Sequence, residues 1–184
     1  MRQASTTESE VRALGASPMP EVARSAECLP SRGLAVVLYG VQDPGNLGTV
    51  VRTAAAAGAA AVIAAGPCAD FFNPKTVRAT AGAIFRVTLA SADQPQQFIA
   101  ECVTRGYQAL AALAAEGTPY RDLDYKRPTI FVLGSEAHGI PDEVLRACSG
   151  RVTIGMAEGV ESLNVAVCAG ILLFEARAQR HPRP

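Results

Sequence analysis

The 184-residue sequence has no net charge, since Lys plus Arg and Asp plus Glu each number 17. That balance excludes a protein that holds nucleic acid by bulk charge, though it leaves room for a local basic patch. Lysine is nearly missing, with only Lys75 and Lys126 present. The cations are therefore almost all arginine, which makes planar, bidentate phosphate contacts that lysine cannot. A GC-rich coding sequence accounts for the same bias. No apolar run suits a membrane span: Ala54–Ala65 is alanine-rich and broken by Gly58. The amino terminus carries Glu8 and Glu10 and lacks an apolar signal core, so a cytoplasmic protein is expected. Cys28, Cys68, Cys102, Cys148 and Cys168 form no C-x-x-C pair, and none stands beside a histidine at metal-ligand spacing. Reduced, structural thiols and no bound metal are expected.

What is present is a core-forming composition, 49% hydrophobic against 18% charged, in a chain of single-domain length. Residues 1–33 are rich in Ser, Glu, Pro and Ala. They read as a short extension, partly disordered or with one helix begun by the capping box Thr7-Glu8-Ser9-Glu10. From residue 34 the texture changes. Strands are expected at Leu34–Tyr39, Ala60–Ala64, Ile84–Leu89, Gln108–Leu113, Thr129–Leu133 and Arg151–Ile154. Helices are expected at Thr49–Ala57, Asn73–Ala81, Pro95–Arg105, Pro141–Ala147 and Leu163–Gln179. This alternation predicts an α/β domain with a mostly parallel sheet flanked by helices.

Three loops between a strand and a helix could carry chemistry. In Gly40–Gly48, backbone N–H groups could face an anion, with Asn46 near the helix N-cap. A dinucleotide fingerprint does not fit, because Gly45-Asn46-Leu47-Gly48 lacks the first glycine of G-x-G-x-x-G. Arg52 follows among small apolar residues, either as a snorkelling surface cation or as a functional one. In Leu133–Pro141, Glu136 could cap the next helix or orient an arginine, and His138 is either a solvated side chain or a base. In Ile154–Val165, Ser162 can cap the last helix, with Asn164 in its first turn and Met156 as an apolar wall.

Taken in order, N-x-G-x-x-x-R (Asn46, Gly48, Arg52), L-G-S-E-x-x-G-I-P (Leu133–Pro141) and I-x-M-x-x-x-x-x-S-L-N-V (Ile154–Val165) resemble the three motifs of SpoU/TrmH-type RNA methyltransferases of the SPOUT superfamily. Lys75–Val87 resembles that family's K-x-x-R-x-S-x-G-A segment, with Thr80 in place of a common serine. The resemblance implies a Rossmann-like domain over residues 34–184 with a C-terminal deep trefoil knot, working as a homodimer. It implies methyl transfer from S-adenosylmethionine to a ribose 2′-hydroxyl, in ribosomal RNA ahead of tRNA. Carried over by motif, Leu133, Gly134, Ser135, Ile154, Met156, Ser162 and Leu163 would line the cofactor pocket. Asn46, Arg52, Glu136, Ser162 and Asn164 would form the catalytic set, with Asn46 and Glu136 positioning Arg52. Arg52, Arg78, Arg86, Lys126 and Arg127 would contact RNA. Many relatives carry a separate N-terminal RNA-binding domain, which the first 33 residues do not resemble. Either recognition rests on the core and dimer surface or the chain belongs to a longer protein. The alternatives are an RNA-binding paralogue that keeps its cofactor site with little turnover, and a nicotinamide-dependent dehydrogenase.

Overall fold

The computed structural model describes residues 17–181. Its strands are β1 (Val22–Ala23), β2 (Leu34–Tyr39), β3 (Ala61–Ala65), β4 (Thr88–Ala92), β5 (Gln108–Leu113), β6 (Thr118–Pro119), β7 (Thr129–Gly134) and β8 (Gly150–Thr153). Its α-helices are α1 (Pro44–Ala57), α2 (Pro74–Thr80), α3 (Pro95–Thr104), α4 (Asp142–Ala147) and α5 (Val165–Arg180). Proline supplies the local start signal at Pro44, Pro74 and Pro95, because its missing N–H costs nothing in a first turn.

The eight strands form one sheet in the order β1-β4-β3-β2-β7-β5-β8-β6, and every pairing is parallel. The central strand β2 shows how alternation builds two cores. Leu34, Val36 and Leu38 join the apolar cluster under α1 and α5. Ala35 and Val37 join the cluster on the other face, with Ile99 of α3 and Val144 of α4. A strand buried on both faces must be apolar at every position, which is why Leu34–Tyr39 reads as one unbroken run.

Three boundaries depart most clearly from expectation, and one expected element is not among those described. The capping-box helix near Thr7 lies outside the described residues. Helix α1 begins at Pro44 instead of Thr49, with the Asp43 side chain accepting from Asn46 N at 2.7 Å. The fourth strand is Thr88–Ala92 instead of Ile84–Leu89, because Ala83–Phe85 closes a 3-10 turn after two left-handed residues, Ala81 and Gly82. The last helix is capped by Asn164 instead of Ser162. Residues 22–29 also pack against the sheet. β1 adds to the edge at β4, Leu29 is buried, and Arg105 Nη2 donates to Leu29 O at 2.9 Å.

The end of α5 ties distant segments together. Arg180 donates to the carbonyls of Tyr125 (2.8 Å), Gly33 (3.0 Å) and Arg127 (2.6 Å). Among the described residues no carboxylate pairs with Arg180, so one guanidinium satisfies three backbone acceptors. Arg180→Ala is expected to lower stability by about 2–3 kcal/mol, as hydrogen bonds to a charged group are lost and acceptors are stranded. Urea unfolding of the variant beside the wild type measures this, and an unchanged midpoint would refute it.

Candidate active site

Parallel pairing brings the loops after β2, β7 and β8 to one edge of the sheet, where their strands end. Asn46, the third residue of α1, leaves helix capping to Asp43, so its side chain is available for tertiary contacts. Its Oδ1 accepts from Asn164 Nδ2 at 3.0 Å, and its Nδ2 lies 3.5 Å from Glu136 Oε1. Glu136 Oε1 also accepts from Asn164 Nδ2 at 3.3 Å and from Val165 N at 3.0 Å. Asn164 completes the cluster, its Oδ1 accepting from Ala166 N at 2.9 Å and Val167 N at 3.3 Å.

Three residues separated by up to 118 positions thus meet at the mouth of α5. Asparagine suits the junction because its carbonyl caps the helix while its amide donates to the neighbouring side chains. Ser162 has only a hydroxyl, and it lines the adjacent cleft instead. Glu136 caps α5, not the helix that follows it, since α4 starts behind Pro141. A carboxylate at a helix N-terminus is favoured by the helix dipole as well as by these bonds.

The β7–α4 loop folds back on itself. Ser135 N donates to Tyr39 O at 2.9 Å, and Gly139 N donates to Ser135 O at 2.8 Å. A Cβ on Gly134 would stand 2.2 Å from the Gly139 carbonyl, so no larger residue fits this turn. His138 is exposed, and its N–H donates to Ser135 Oγ at 3.3 Å.

Beside the cluster lies a cleft of about 220 Å³. All seven expected cofactor residues line it: Leu133, Gly134, Ser135, Ile154, Met156, Ser162 and Leu163. Sequence reasoning missed Ala112, Leu113 and Ala114 at the end of β5, together with Ile140 and Cys168. Ala112, Leu113 and Ala114 carry no chemistry of their own, so only the sheet order reveals them. Burial pushes the Cys168 thiol up to about 11. It stays protonated at neutral pH and serves as part of the apolar wall. Burial does the same to Cys102, at about 12, and Cys148, at about 11.

The expected cations fall in different places. Arg52 is exposed on α1, one turn beyond Gly48. Among the described residues it makes no hydrogen bond or ion pair, so Asn46 and Glu136 brace each other and α5 but not Arg52. Gly48 lets α2 approach closely, because a Cβ there would stand 2.5 Å from Thr76 O and 2.6 Å from Ala79 Cβ. Arg78 is exposed on α2, and Arg86 is exposed just after the 3-10 turn. Lys126 and Arg127 precede β7 at the amino edge of the sheet, roughly 20 Å of strand away from the cleft.

An all-parallel sheet with a ligand-sized cleft at its carboxyl edge, flanked by polar side chains at two helix mouths, defines a cofactor-binding α/β domain. The particular family follows from comparison with known proteins. Residues 33–174 match the SpoU rRNA Methylase family, and the chain belongs to that family. It is 39% identical over 152 residues to the 23S rRNA (guanosine-2′-O-)-methyltransferase RlmB of Ralstonia nicotianae, covering 82% of this chain and 61% of that protein. It is 33% identical over 159 residues to the 23S rRNA (guanosine(2553)-2′-O)-methyltransferase RlmP of Bacillus subtilis, covering 86% of this chain and 62% of that one. Among solved structures, the AdoMet-bound rRNA methyltransferase from Sinorhizobium meliloti superposes with a TM-score of 0.78 at 39% identity, over 84% of this chain and 60% of that chain. The chain spans 55–62% of the length of the first curated relatives it matches. Among the described residues, no helix is long and apolar enough to cross a membrane.

Proposed function

We propose that the protein is an S-adenosylmethionine-dependent RNA methyltransferase acting on a ribose 2′-hydroxyl of ribosomal RNA, with tRNA as the second candidate. One observation carries this reading. The cleft lined by all seven motif residues opens beside the Asn46–Glu136–Asn164 cluster. The names of the Ralstonia and Bacillus relatives support ribosomal RNA.

The cleft fits such a cofactor in chemical terms: its walls are apolar, while backbone groups of the Gly134 turn and the Ser162 hydroxyl bring polarity to the rim. S-adenosylmethionine bound there supplies a methyl group already activated on a sulfonium. The Asn46–Glu136–Asn164 cluster fixes the mouth of α5, and with it the Ser162–Leu163 segment that lines the cleft. Ser162 holds the ribose in line while Asn164, its amide spent on α5 and the cluster, fixes the segment that carries Ser162, since methyl transfer needs geometry above all. On transfer the methyl–sulfur bond would break, the thioether product would leave, and the 2′-hydroxyl proton would pass to water. Arg52 binds the adjoining phosphate and stabilises the negative charge growing on the 2′-oxygen; arginine stays a cation and is poorly suited to act as a base.

The reading includes a homodimer. Val167 and Phe174 stand seven residues apart on α5 and are about half exposed, making an apolar stripe suited to a second copy. Arg52 has no partner within its own chain among the described residues, as suits a side chain that completes the neighbouring subunit's site. Residues 34–184 then form the body of the methyltransferase domain, with a trefoil knot in its C-terminal half, and residues 1–33 an extension of which 22–29 join its sheet and core. The work of such an enzyme lies in the cytoplasm.

The test is transfer of labelled methyl from S-adenosylmethionine into purified ribosomal RNA and tRNA pools, followed by nucleoside mass spectrometry. A 2′-O-methyl nucleoside from the ribosomal pool is expected. Cofactor binding without incorporation into either pool would instead favour the non-catalytic RNA-binding paralogue.

A further inference from the structure

Among the exposed large apolar side chains of the described residues, those on α5 and Phe85 stand in different charge surroundings. The α5 stripe lies near Glu161 and Glu175 as well as Arg177. The other patch is centred on Phe85, which is 62% exposed and next to Arg86. From Pro44 to Ala92 the only acidic residue is Asp70, against the cations Arg52, Lys75, Arg78 and Arg86. Along this stretch of a chain without net charge, four exposed cations stand against one exposed acid.

The fold puts these groups side by side. Helix α2 lies close along α1 because Gly48 admits Thr76 and Ala79. Arg52 stands one turn further along α1 from that contact, and the 3-10 turn Ala83–Phe85 packs against the same helix. Lys75 and Arg78 are exposed three residues apart, hence on one side of α2. The turn is firmly placed. Ile84 is buried in the core, Phe85 N donates to Gly82 O, and Arg86 N donates to Ala83 O at 2.9 Å. A rigid turn that buries Ile84 has to present Phe85 outward.

A large aromatic ring facing water amid cations suits one class of partner. A second copy that met this patch with the same patch would set cations against cations. Single-stranded RNA offers phosphates for the cations and an unpaired base for the ring. We propose that Phe85 is a stacking platform for an unpaired base of the substrate RNA, with Lys75, Arg78 and Arg86 holding the backbone on either side. This rests on the RNA-modifying reading and adds to it a requirement: the stretch of substrate RNA that lies across α2 and the turn before β4 is single-stranded, in a loop or bulge. Phe85 is then a residue of recognition, outside the reacting centre.

The experiment uses a short single-stranded RNA carrying 2-aminopurine, whose fluorescence falls when it stacks, and a duplex RNA of equal length. The wild type is expected to quench the single strand and to prefer it over the duplex. Phe85→Ala is expected to lose the quenching and to bind the single strand roughly tenfold more weakly. Phe85→Trp should restore both, and S-adenosylmethionine binding and sedimentation should be unchanged throughout. Phe85→Ala with wild-type quenching and affinity overturns the proposal while leaving the methyl-transfer reading intact. A variant that falls apart into smaller species overturns it in favour of a subunit contact. A wild type that methylates no RNA and does not bind the single strand overturns both readings.

Discussion

Gly134→Ala is expected to lose S-adenosylmethionine binding by tenfold or more. The added Cβ would meet the Gly139 carbonyl carbon and oxygen at 2.2 Å and Ile140 N at 2.8 Å. All three are backbone atoms, so no rotamer change relieves the clash. The loop must open, and overpacking of this kind costs about 1–3 kcal/mol or more. The opening also moves Ser135 and Glu136, which face the cleft and cap α5. Titration calorimetry measures the loss, and circular dichroism checks that the sheet survives. Wild-type affinity in a folded variant would show that the turn does not shape the cofactor site.

Arg52→Ala is expected to lower methyl transfer by about 100-fold to 1000-fold, the range seen when one donor to a developing oxyanion is removed. Its cofactor affinity should stay at the wild-type value, because Arg52 is not among the residues lining the cleft. Its stability should also hold, since the side chain is exposed and alanine is the better helix former. Arg52→Lys should recover little, as a point charge replaces a planar fork. Single-turnover methylation with labelled cofactor separates binding from chemistry. Wild-type turnover in Arg52→Ala would remove this residue from the mechanism.

The alternation of strand and helix was readable because each buried strand is an apolar run and most helices open on proline. The edge strands were not, since Val22–Ala23 and Thr118–Pro119 are only two residues long and their pairing is decided by their neighbours. The misplaced fourth strand has a local cause. Ile84 and Phe85 look like strand residues, but Ala81 and Gly82 turn the chain first, and the true strand is the plainer Thr88–Ala92. Helix α1 was read five residues short because Gly45 and Gly48 are poor helix formers. At Gly48 the cost is offset by close packing against α2, a tertiary effect that no local pattern shows. The cofactor side of the site was legible because its motifs are contiguous. The way Glu136 reaches across to α5 was not, because it depends on the order in which parallel strands sit side by side.

That strand order also bears on how the chain emerges during synthesis. β2 pairs with β3 on one side, and β3 is finished by residue 65. On its other side β2 must wait for β7, which begins at residue 129. For the interval between them, six apolar residues present an open edge of N–H and C=O groups, the kind of template on which chains aggregate. A ribosome stalled before β7 therefore carries a sticky nascent domain. Chaperone demand is expected to peak there, and a late-arriving partner strand sets the pace of folding.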